Sequence, residues 1–410
     1  MMKHVREEKN RLESILMDIF YENANLSDEE IEKMIENHVL EASSKHYLTL
    51  CEKQELKQDL YNTFRKLDIL SSLLEDEEIT EIMINGYNHI FIEKRGVLHE
   101  ASEFFRSEER LHNVIQQIVG SCNRIVNETV PIVDARLSDG SRINVVLPPV
   151  ALDGAVMTIR KFSKDFFTID KLIALHTITE EAAHFLESLV FAKYNIFVSG
   201  GTGAGKTSLL NVLSNFIPAN ERVITIEDSA ELQIQGIPNI VRLETRNANV
   251  EGENAITMSV LIKTALRMRP DRIIVGEVRD GAAMDMINSM LTGHDGSLST
   301  GHGNSAKEML LRLQTMVMMA YEMPVLAIRQ QIAAAIDIMV HIGRLRDGSR
   351  KILEICEVIG IEDGEIVTHP LFRFRETGET EGKVEGILER IGDLVNKEKL
   401  YQSGWKESLA

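Results

Sequence analysis

One eight-residue segment limits the folds open to this chain more than any other feature of its sequence. A glycine-rich run that ends in Lys and Thr follows an apolar segment, 195–199, and precedes a helix-forming stretch, 208–213. A strand, a tight glycine loop and a helix in this order bring backbone N–H groups together at a helix N-terminus, where they bind phosphate. The residues assigned to this phosphate-binding loop and the turn after it are Gly200, Gly201, Thr202, Gly203, Ala204, Gly205, Lys206, Thr207 and Ser208.

Two residues of this segment specify the ligand further. A Lys at position 206 reaches the β- and γ-phosphates of a nucleotide, and the hydroxyl group of Thr207 binds Mg²⁺. The pattern therefore predicts a P-loop enzyme with ATP and Mg²⁺ as its cofactors. A glycine-rich turn that binds no ligand is the alternative interpretation.

Acidic residues follow two of the later apolar strands. Glu227 and Asp228, with Glu231 close behind, follow the first strand, and Glu277 follows the second. Ligands of open α/β sheets bind at the carboxyl ends of strands, so both acidic groups are expected near the nucleotide. Glu277 is the candidate for the base that positions water and for a partly water-mediated Mg²⁺ ligand. The other three are expected to hold metal-bound waters, and helix capping is their alternative role.

Two histidines lie in a run of turn-forming and polar residues. His294 and His302 are eight residues apart, a spacing that does not suit a helical metal pair. An imidazole near the γ-phosphate can sense its presence, because histidine titrates near neutral pH. A solvated loop histidine is the alternative.

The composition excludes several classes of protein. A net charge of −18 disfavours wrapping a nucleic-acid backbone, which requires Lys and Arg to neutralise phosphates. Three scattered cysteines without a CxxC pair argue against a zinc module and fit reduced cytosolic thiols. The charged N-terminus and the lack of a long apolar run predict neither a signal peptide nor a membrane span.

The hydrophobic pattern divides the chain into four regions. Residues 1–70 predict a helical extension, and residues 71–160 predict an α+β domain in which strand-like segments flank turns. Residues 161–175 form a linker to the region 176–410. There, short apolar strands alternate with helices, which predicts a mainly parallel sheet covered on both faces and followed by a helical and strand extension. No internal repeat is detected.

Several local elements are predicted in the α+β region. The Asp-Gly pair at 139–140, between two alternating segments, predicts a β-hairpin. Residues 73–79 predict a short helix, residues 108–124 a longer helix, and residues 156–160 an edge strand.

Together these residues resemble the secretion and pilus-assembly traffic ATPases. The resemblance covers about residues 70–360 and rests on the Walker A loop, the Asp box at 225–231, the Walker B segment at 275–279 and the His box at 293–302. Three further stretches, 133–142, 151–162 and 266–271, are similar to the CpaF branch, which drives Flp/Tad-type pili.

This resemblance implies a RecA-like ATPase domain in a cytosolic homohexamer that docks on an inner-membrane platform protein. ATP hydrolysis is then expected to move each N-terminal domain against its C-terminal domain and so extrude pilin subunits. The resemblance also implies that His302 lies near the γ-phosphate and that arginines of the N-terminal domain reach the nucleotide. The candidates are Arg136, Arg142 and Arg160, with surface salt bridging as the alternative role.

One position departs from the common P-loop pattern, and two other functions stay open. Gly276 stands where many P-loop enzymes have Asp, so Mg²⁺ is expected to depend on Thr207 and on acids acting through water. A nucleic-acid-stimulated ring motor of a conjugation-type system is one alternative function. A nucleotide switch without significant turnover is the other.

Overall fold

The computed structural model divides the chain into two compact units, residues 1–164 and residues 165–410. The residues that it describes are Glu8, Arg11, Leu12, Ile15, Leu16 and the ranges 28–45, 48–65, 67–94, 96–137, 139–162, 167–246 and 253–405. None of the helices in these ranges combines the length and the apolar character needed to cross a membrane.

The first unit begins with helices that have a core of their own. Helix α1 (Asp28–Lys45) and helix α2 (Leu50–Arg65) pack through apolar residues spaced three and four positions apart. Ile35 of α1 and Leu56 and Leu60 of α2 are fully buried in this cluster.

A six-stranded antiparallel sheet forms the rest of the first unit. Its strand order is β3-β2-β1-β6-β5-β4. Helix α4 (Glu108–Ser121) packs its apolar side against the sheet. It begins where the Ser107 hydroxyl accepts the N–H of Arg110. The elements are α3 (Ile69–Glu75), β1 (Ile79–Asn85), β2 (Ile90–Lys94), β3 (Val97–Glu100), α4 (Glu108–Ser121), β4 (Ile132–Arg136), β5 (Arg142–Val146) and β6 (Val156–Arg160).

Three local predictions in this unit need correction. Strand β6 is not an edge strand, because it lies between β1 and β5. Its partner β1 lies about 75 residues earlier in the chain, so the residues near β6 carry no sequence signal of this pairing. Helix α4 ends at Ser121 rather than near residue 124, since Asn123 has a positive φ of 54°. The short helix expected at 73–79 lies earlier, at α3, and residue 79 already begins β1.

The second unit contains a nine-stranded sheet with helices on both faces. Its helices are α5 (Ile169–Ala174), α6 (Glu180–Phe191), α7 (Lys206–Ser214), α8 (Met258–Ala265), α9 (Ala282–Leu291), α10 (Ala306–Ala320), α11 (Val325–Ala335) and α12 (Glu398–Ser403). Its strands are β7 (Ile196–Gly200), β8 (Val223–Glu227), β9 (Ile240–Glu244), β10 (Arg272–Val275), β11 (Leu298–His302), β12 (Ile338–Arg344), β13 (Arg350–Glu362), β14 (Glu365–Thr380) and β15 (Lys383–Arg390).

Strand order explains why the central strands are apolar throughout. The order is β15-β14-β13-β12-β7-β11-β10-β8-β9, and the strands from β12 to β9 run parallel. Ile196 and Val198 of β7 pack in the core on one face, and Phe197 packs in the core on the other. This is the mainly parallel α/β sheet that the alternation of strands and helices predicts. The sequence did not predict the extent of the antiparallel extension formed by β13, β14 and β15.

A seven-residue segment occurs twice in the chain, contrary to the expectation that the chain has no internal repeat. Residues 136–142 and 344–350 differ only at Ser138 and Arg346. In both copies the Asp carboxylate accepts the N–H and the hydroxyl of the Ser two residues later. Both form a hairpin turn whose first and last arginines are cross-strand partners. We call residues 136–142 the first arginine turn and residues 344–350 the second arginine turn.

Candidate active site

The phosphate loop, residues 200–207, connects β7 to α7, and its glycines are required for different reasons. At Gly200, a Cβ atom would lie 2.4 Å from the Ile342 carbonyl oxygen of the adjacent strand. Gly203 and Gly205 have φ values of 69° and 98°, in the left-handed region that side chains disfavour. Gly205 is also the N-cap of α7, so the loop meets the helix at its positive end.

Lys206 is buried at the start of α7 and points into the loop. Its ammonium group donates to the Gly201 carbonyl oxygen at 3.0 Å and lies 3.2 Å from Nδ1 of His302. The Ala204 N–H faces the same Gly201 carbonyl, with 3.3 Å between N and O. Burial lowers the pKa of Lys206 below its usual value, and the carboxylate of Glu277 opposes part of this effect.

The remaining loop residues lie around this lysine. Gly201 and Thr202 are exposed at the outer turn of the loop, and Ala204 is buried. Thr207 and Ser208 follow Lys206 in the first turn of α7 and are partly exposed. The hydroxyl that the sequence assigns to Mg²⁺ thus directly follows the phosphate-binding lysine.

The acidic and histidine candidates reach this loop because four parallel strands end at one edge of the sheet. Glu227 is the last residue of β8, Glu277 follows β10 by two residues, and His302 is the last residue of β11. In the register of the sheet, His302 lies opposite Gly200.

Glu277 is held between a cation and an imidazole. Nη2 of Arg279 donates to its Oε2 at 3.0 Å, and Nε2 of His302 lies 2.9 Å from its Oε1, although this second pair is not aligned as a hydrogen bond. Burial and the charge of Lys206 lower the pKa of His302, so this histidine is neutral at pH 7. Because Nδ1 accepts from the Lys206 ammonium, the ring proton is on Nε2 and faces Glu277.

Glu227 is the most deeply buried of the four acids. Burial raises its pKa to about 7. The N–H groups of Glu231 and Leu232 donate to its Oε2 and oppose this rise, because they stabilise the carboxylate. Its Oε1 is buried and makes no hydrogen bond with the described part of the chain. A Cβ atom on Gly276 would lie 2.9 Å from Cγ of Glu227. The Glu227 side chain therefore fills the space that an Asp at position 276 would need.

Asp228 and Glu231 differ from Glu227 in their surroundings. Asp228 is exposed, and its carboxylate lies 3.7 Å from Nη1 of Arg279 and 3.4 Å from the Thr245 hydroxyl. Glu231 is partly exposed and contacts Glu227 through its backbone N–H. The three acids that the sequence grouped together thus comprise one buried group and two that solvent reaches.

The two histidines lie at opposite edges of the sheet. His294 precedes β11 and His302 ends it, so the strand separates them. The Nδ1 atom of His294 lies 3.4 Å from the Thr292 hydroxyl, and the His294 carbonyl accepts the hydroxyl of Ser297. The structure therefore brings His302, and not His294, to the phosphate loop.

Strand register places the three candidate arginines of the first unit side by side. Arg136 is the cross-strand partner of Arg142, and Arg142 is the partner of Arg160. Arg160 is also opposite Glu81, with 3.7 Å between Nε and Oε1. Directly opposite residues share a face of a sheet, so the three guanidinium groups project from one face. We call them the arginine row.

Two arginines near the phosphate loop were not among the predicted site residues. Arg279 lies two residues after Glu277, a spacing that could have identified it. Arg350, in the second arginine turn, donates from Nε to the Gly203 carbonyl oxygen at 2.9 Å across 147 positions of sequence. Its only sequence signal is the recurrence of the seven-residue segment.

The described residues around the phosphate loop fit a nucleotide whose metal ion has few protein ligands. Within the described ranges, no group of three or more His, Cys, Asp or Glu side chains is placed to hold a metal ion. Mg²⁺ in nucleotide sites uses one or two protein ligands, phosphate oxygens and water, and it needs no such group. Thr207 is the candidate direct ligand, and the carboxylates of Glu277 and Glu227 are candidates to hold the metal through water.

Comparisons with known proteins identify the family of this chain. The profile of the family described as Type II/IV secretion system protein matches residues 64–383. An uncharacterized protein of Methanocaldococcus jannaschii is 39% identical over 272 residues, which are 65% of this chain and 38% of that protein. A putative conjugal transfer protein of Mycobacterium tuberculosis is 32% identical over 294 residues, 70% of this chain and 83% of that protein.

A solved structure supports the fold. The ATPase DotB of Yersinia pseudotuberculosis matches with a TM-score of 0.51 at 17% identity, over 70% of this chain and 78% of that one. At this identity the likeness concerns the fold alone, and it agrees with the RecA-like α/β fold expected from the sequence. The family profile, in contrast, covers well over half of the chain at the level of sequence. The chain therefore belongs to the type II/IV secretion system ATPase family.

Proposed function

We propose that this chain hydrolyses ATP and that hydrolysis drives a type II or type IV secretion or pilus-assembly machine. Family membership supports the class of machine. One observation supports the chemistry: Lys206, His302 and Glu277 meet at the phosphate loop. Nζ of Lys206 lies 3.2 Å from Nδ1 of His302, and Nε2 of His302 lies 2.9 Å from Oε1 of Glu277.

Nucleotide binding is supported by the state of Lys206. Its ammonium has three N–H donors, and its contacts with Gly201 and His302 use two of them. Burial disfavours its charge, so a phosphate anion at the loop would stabilise the ammonium and be stabilised by it. The loop N–H groups and the N-terminus of α7 add to this attraction.

Water activation is assigned to Glu277. Arg279 donates to one of its carboxylate oxygens and Nε2 of His302 lies 2.9 Å from the other, and the bond from Arg279 orients a base that must accept a proton from water. Bound Mg²⁺ supplies positive charge to the phosphate oxygens. Thr207 would hold the metal directly, and Glu277, Glu227, Asp228 and Glu231 would act through water.

The arginine row is proposed to contact the nucleotide of its own or a neighbouring subunit. Like charges in opposite positions of a sheet repel one another, and a bound polyphosphate would remove that repulsion. Guanidinium groups that stabilise charge on the transferred phosphate raise rates by several orders of magnitude in other ATPases. Arg136, Arg142 and Arg160 are therefore assigned to catalysis.

The finer assignment is to the Flp/Tad pilus branch. It rests on the CpaF-like stretches 133–142, 151–162 and 266–271. In this proposal the chain assembles as a hexamer on the inner face of the membrane and docks on a platform protein. Movement of the N-terminal against the C-terminal domain, across the part of the predicted 161–175 linker that precedes α5, then extrudes pilin subunits.

A nucleic-acid motor is the second candidate, because one relative is described as a putative conjugal transfer protein. The net charge of −18 argues against it. A nucleotide switch without turnover is the third candidate, and the orientation of Glu277 favours hydrolysis over it.

Steady-state ATP turnover of the purified chain, with and without single-stranded DNA, tests the proposal. We expect Mg²⁺-dependent turnover that DNA does not stimulate, with K206A as the inactive control. Strong stimulation by DNA would favour the conjugation-type motor, and ATP binding without turnover would favour the switch. Capture of a membrane platform protein and pilins from the native cell would support the pilus branch, and capture of conjugation components would refute it.

A further inference from the structure

The second arginine turn lies against the phosphate loop of the same unit. Strand β12 is the parallel neighbour of β7, with Ile342 opposite Gly200, so the turn after β12 is at the edge where the loop begins. Arg350, the first residue of β13, donates from Nε to the Gly203 carbonyl oxygen at 2.9 Å. Its Cδ lies 3.4 Å from where a Cβ on Gly205 would be. One exposed arginine therefore bonds to the loop at Gly203 and passes close to Gly205.

The turn holds Arg350 in a fixed place. The N–H of Leu345 donates to the carbonyl of Ser349, and Asp347 accepts the N–H and hydroxyl of Ser349 and the N–H of Val384. These bonds, the Ser349 hydroxyl first, lower the pKa of Asp347 to about 2, so its carboxylate stays charged and bonded at physiological pH.

The contact determines which way one peptide of the loop faces. The C=O and N–H of a trans peptide point in opposite directions. Because Arg350 holds the Gly203 carbonyl on the side of the turn, the N–H of Ala204 must face the interior of the loop. It does so in the structure, where it is directed at the Gly201 carbonyl oxygen. The interior is where N–H groups of a phosphate loop meet their anion.

We propose that Arg350 is a positioning residue for nucleotide binding. It fixes the peptide between Gly203 and Ala204 so that the loop N–H groups are oriented before the phosphates arrive. This role rests on the proposed ATPase function, and it goes beyond that function by assigning part of the nucleotide affinity to the hairpin between β12 and β13. The residue acts through the loop backbone and not on the reacting atoms.

The experiment measures Kd for ADP and ATP by titration calorimetry, together with KM and kcat, for the wild-type chain and three variants. We expect R350A to weaken both nucleotides by about tenfold, which is the scale of one charge-assisted hydrogen bond. We expect kcat at saturating ATP to stay within about twofold, since the peptide acts on bound phosphates equally before and during hydrolysis. R350K is expected to recover most of the affinity, because an ammonium also donates to a carbonyl.

Arg346 provides the matched control from the same turn. It is exposed and pairs with Glu376 and Glu379, away from the loop, so R346A should keep wild-type affinity. Unchanged thermal unfolding of the free R350A chain would show that the affinity loss is not a folding defect.

Three outcomes would overturn the role. Equal nucleotide affinities of R350A and R346A would show that the contact does not orient the loop. A kcat loss as large as the affinity loss, without rescue by R350K, would make Arg350 a direct contact of the transition state. A wild-type chain that binds neither ADP nor ATP would refute the proposed function and this role with it, whereas a binding chain with an R350A effect but no turnover would refute hydrolysis alone.

Discussion

The phosphate-loop edge of the second unit and the arginine row of the first unit use charge in opposite ways. At the loop, two cations and a carboxylate lie around a neutral imidazole: Lys206 donates to His302, His302 lies beside Glu277, and Glu277 pairs with Arg279. In the row, three groups of the same charge occupy opposite positions on neighbouring strands. The first arrangement pairs cations with a carboxylate, and the second sets like charges side by side, with Glu81 opposite Arg160 at the end of the row.

The two arginine turns sharpen this contrast because their local structures match. Both turns bond a Ser to an Asp and place an arginine first on the outgoing strand. In the second turn that arginine reaches a carbonyl of the phosphate loop, and in the first turn it joins the arginine row. Nearly the same turn therefore makes different contacts according to the sheet that carries it.

The largest effect is expected for Glu277→Gln at the loop. The amide keeps the shape of the side chain and cannot accept a proton, so we expect kcat to fall about 1000-fold while ATP binding changes little. Single-turnover assays and nucleotide titration measure the two quantities. Glu365→Gln, which removes an exposed carboxylate paired with Arg329, is the control. Wild-type turnover in the Glu277 variant would remove this residue from the role of base.

A large pH effect is expected for Glu227, the buried member of the same edge. Its pKa of about 7 in the folded chain lies above its ordinary value of 4.5, so between these pH values the folded state binds a proton that the unfolded state has released. The free energy of unfolding should therefore fall as pH rises from 4.5 to 7 and then level off. The difference in pKa corresponds to about 3 kcal/mol.

Glu227→Gln should remove that fall, which denaturant unfolding at pH 4.5 and pH 8 can measure. Glu362→Gln is the matched control, because Glu362 is an exposed carboxylate at the end of β13 in the same unit. If wild type and the Glu227 variant show the same pH dependence, the buried carboxyl is not the group that titrates.

A smaller loss is expected for Arg142→Ala in the middle of the arginine row. Three arginines share the row, so we expect kcat to fall about tenfold, with ATP affinity nearly unchanged, as for a group that acts in the transition state. Arg106→Ala, an exposed arginine of the same unit outside the row, is the control. A matching loss in both variants would reduce the row to general surface charge.

The smallest effects on stability and nucleotide affinity are expected for Gly140→Ala and Gly348→Ala, one in each arginine turn. Both glycines have positive φ values, 94° and 82°, so each substitution should cost about 1 kcal/mol of unfolding free energy. The cost should be greater at Gly140, where the new Cβ would lie 3.2 Å from the Phe162 ring. Only Gly348→Ala should also weaken nucleotide binding, through Arg350. Equal effects on nucleotide affinity would remove the distinction between the turns.

The sequence predicted the parts of the site that depend on local order. A glycine loop between a strand and a helix places phosphate-binding N–H groups wherever it occurs, and acids after parallel strands reach the same edge. Lys206, Glu227, Glu277 and His302 were identified from this logic together with the family resemblance, and the structure brings these four residues to one edge of the sheet. The first helices and the parallel sheet followed from periodicity alone.

Contacts between distant segments could be decided only by the tertiary structure. Four such contacts join residues between 6 and 147 positions apart. They are the pairing of β6 with β1, the alignment of the arginine row, the burial of Glu227 beside Gly276 and the bond from Arg350 to Gly203. Periodicity describes which face of an element is apolar but not which element it meets. For that reason the amino-acid order determined the phosphate loop and its ligand class, while strand order determined which charges face one another and which turn supports the loop.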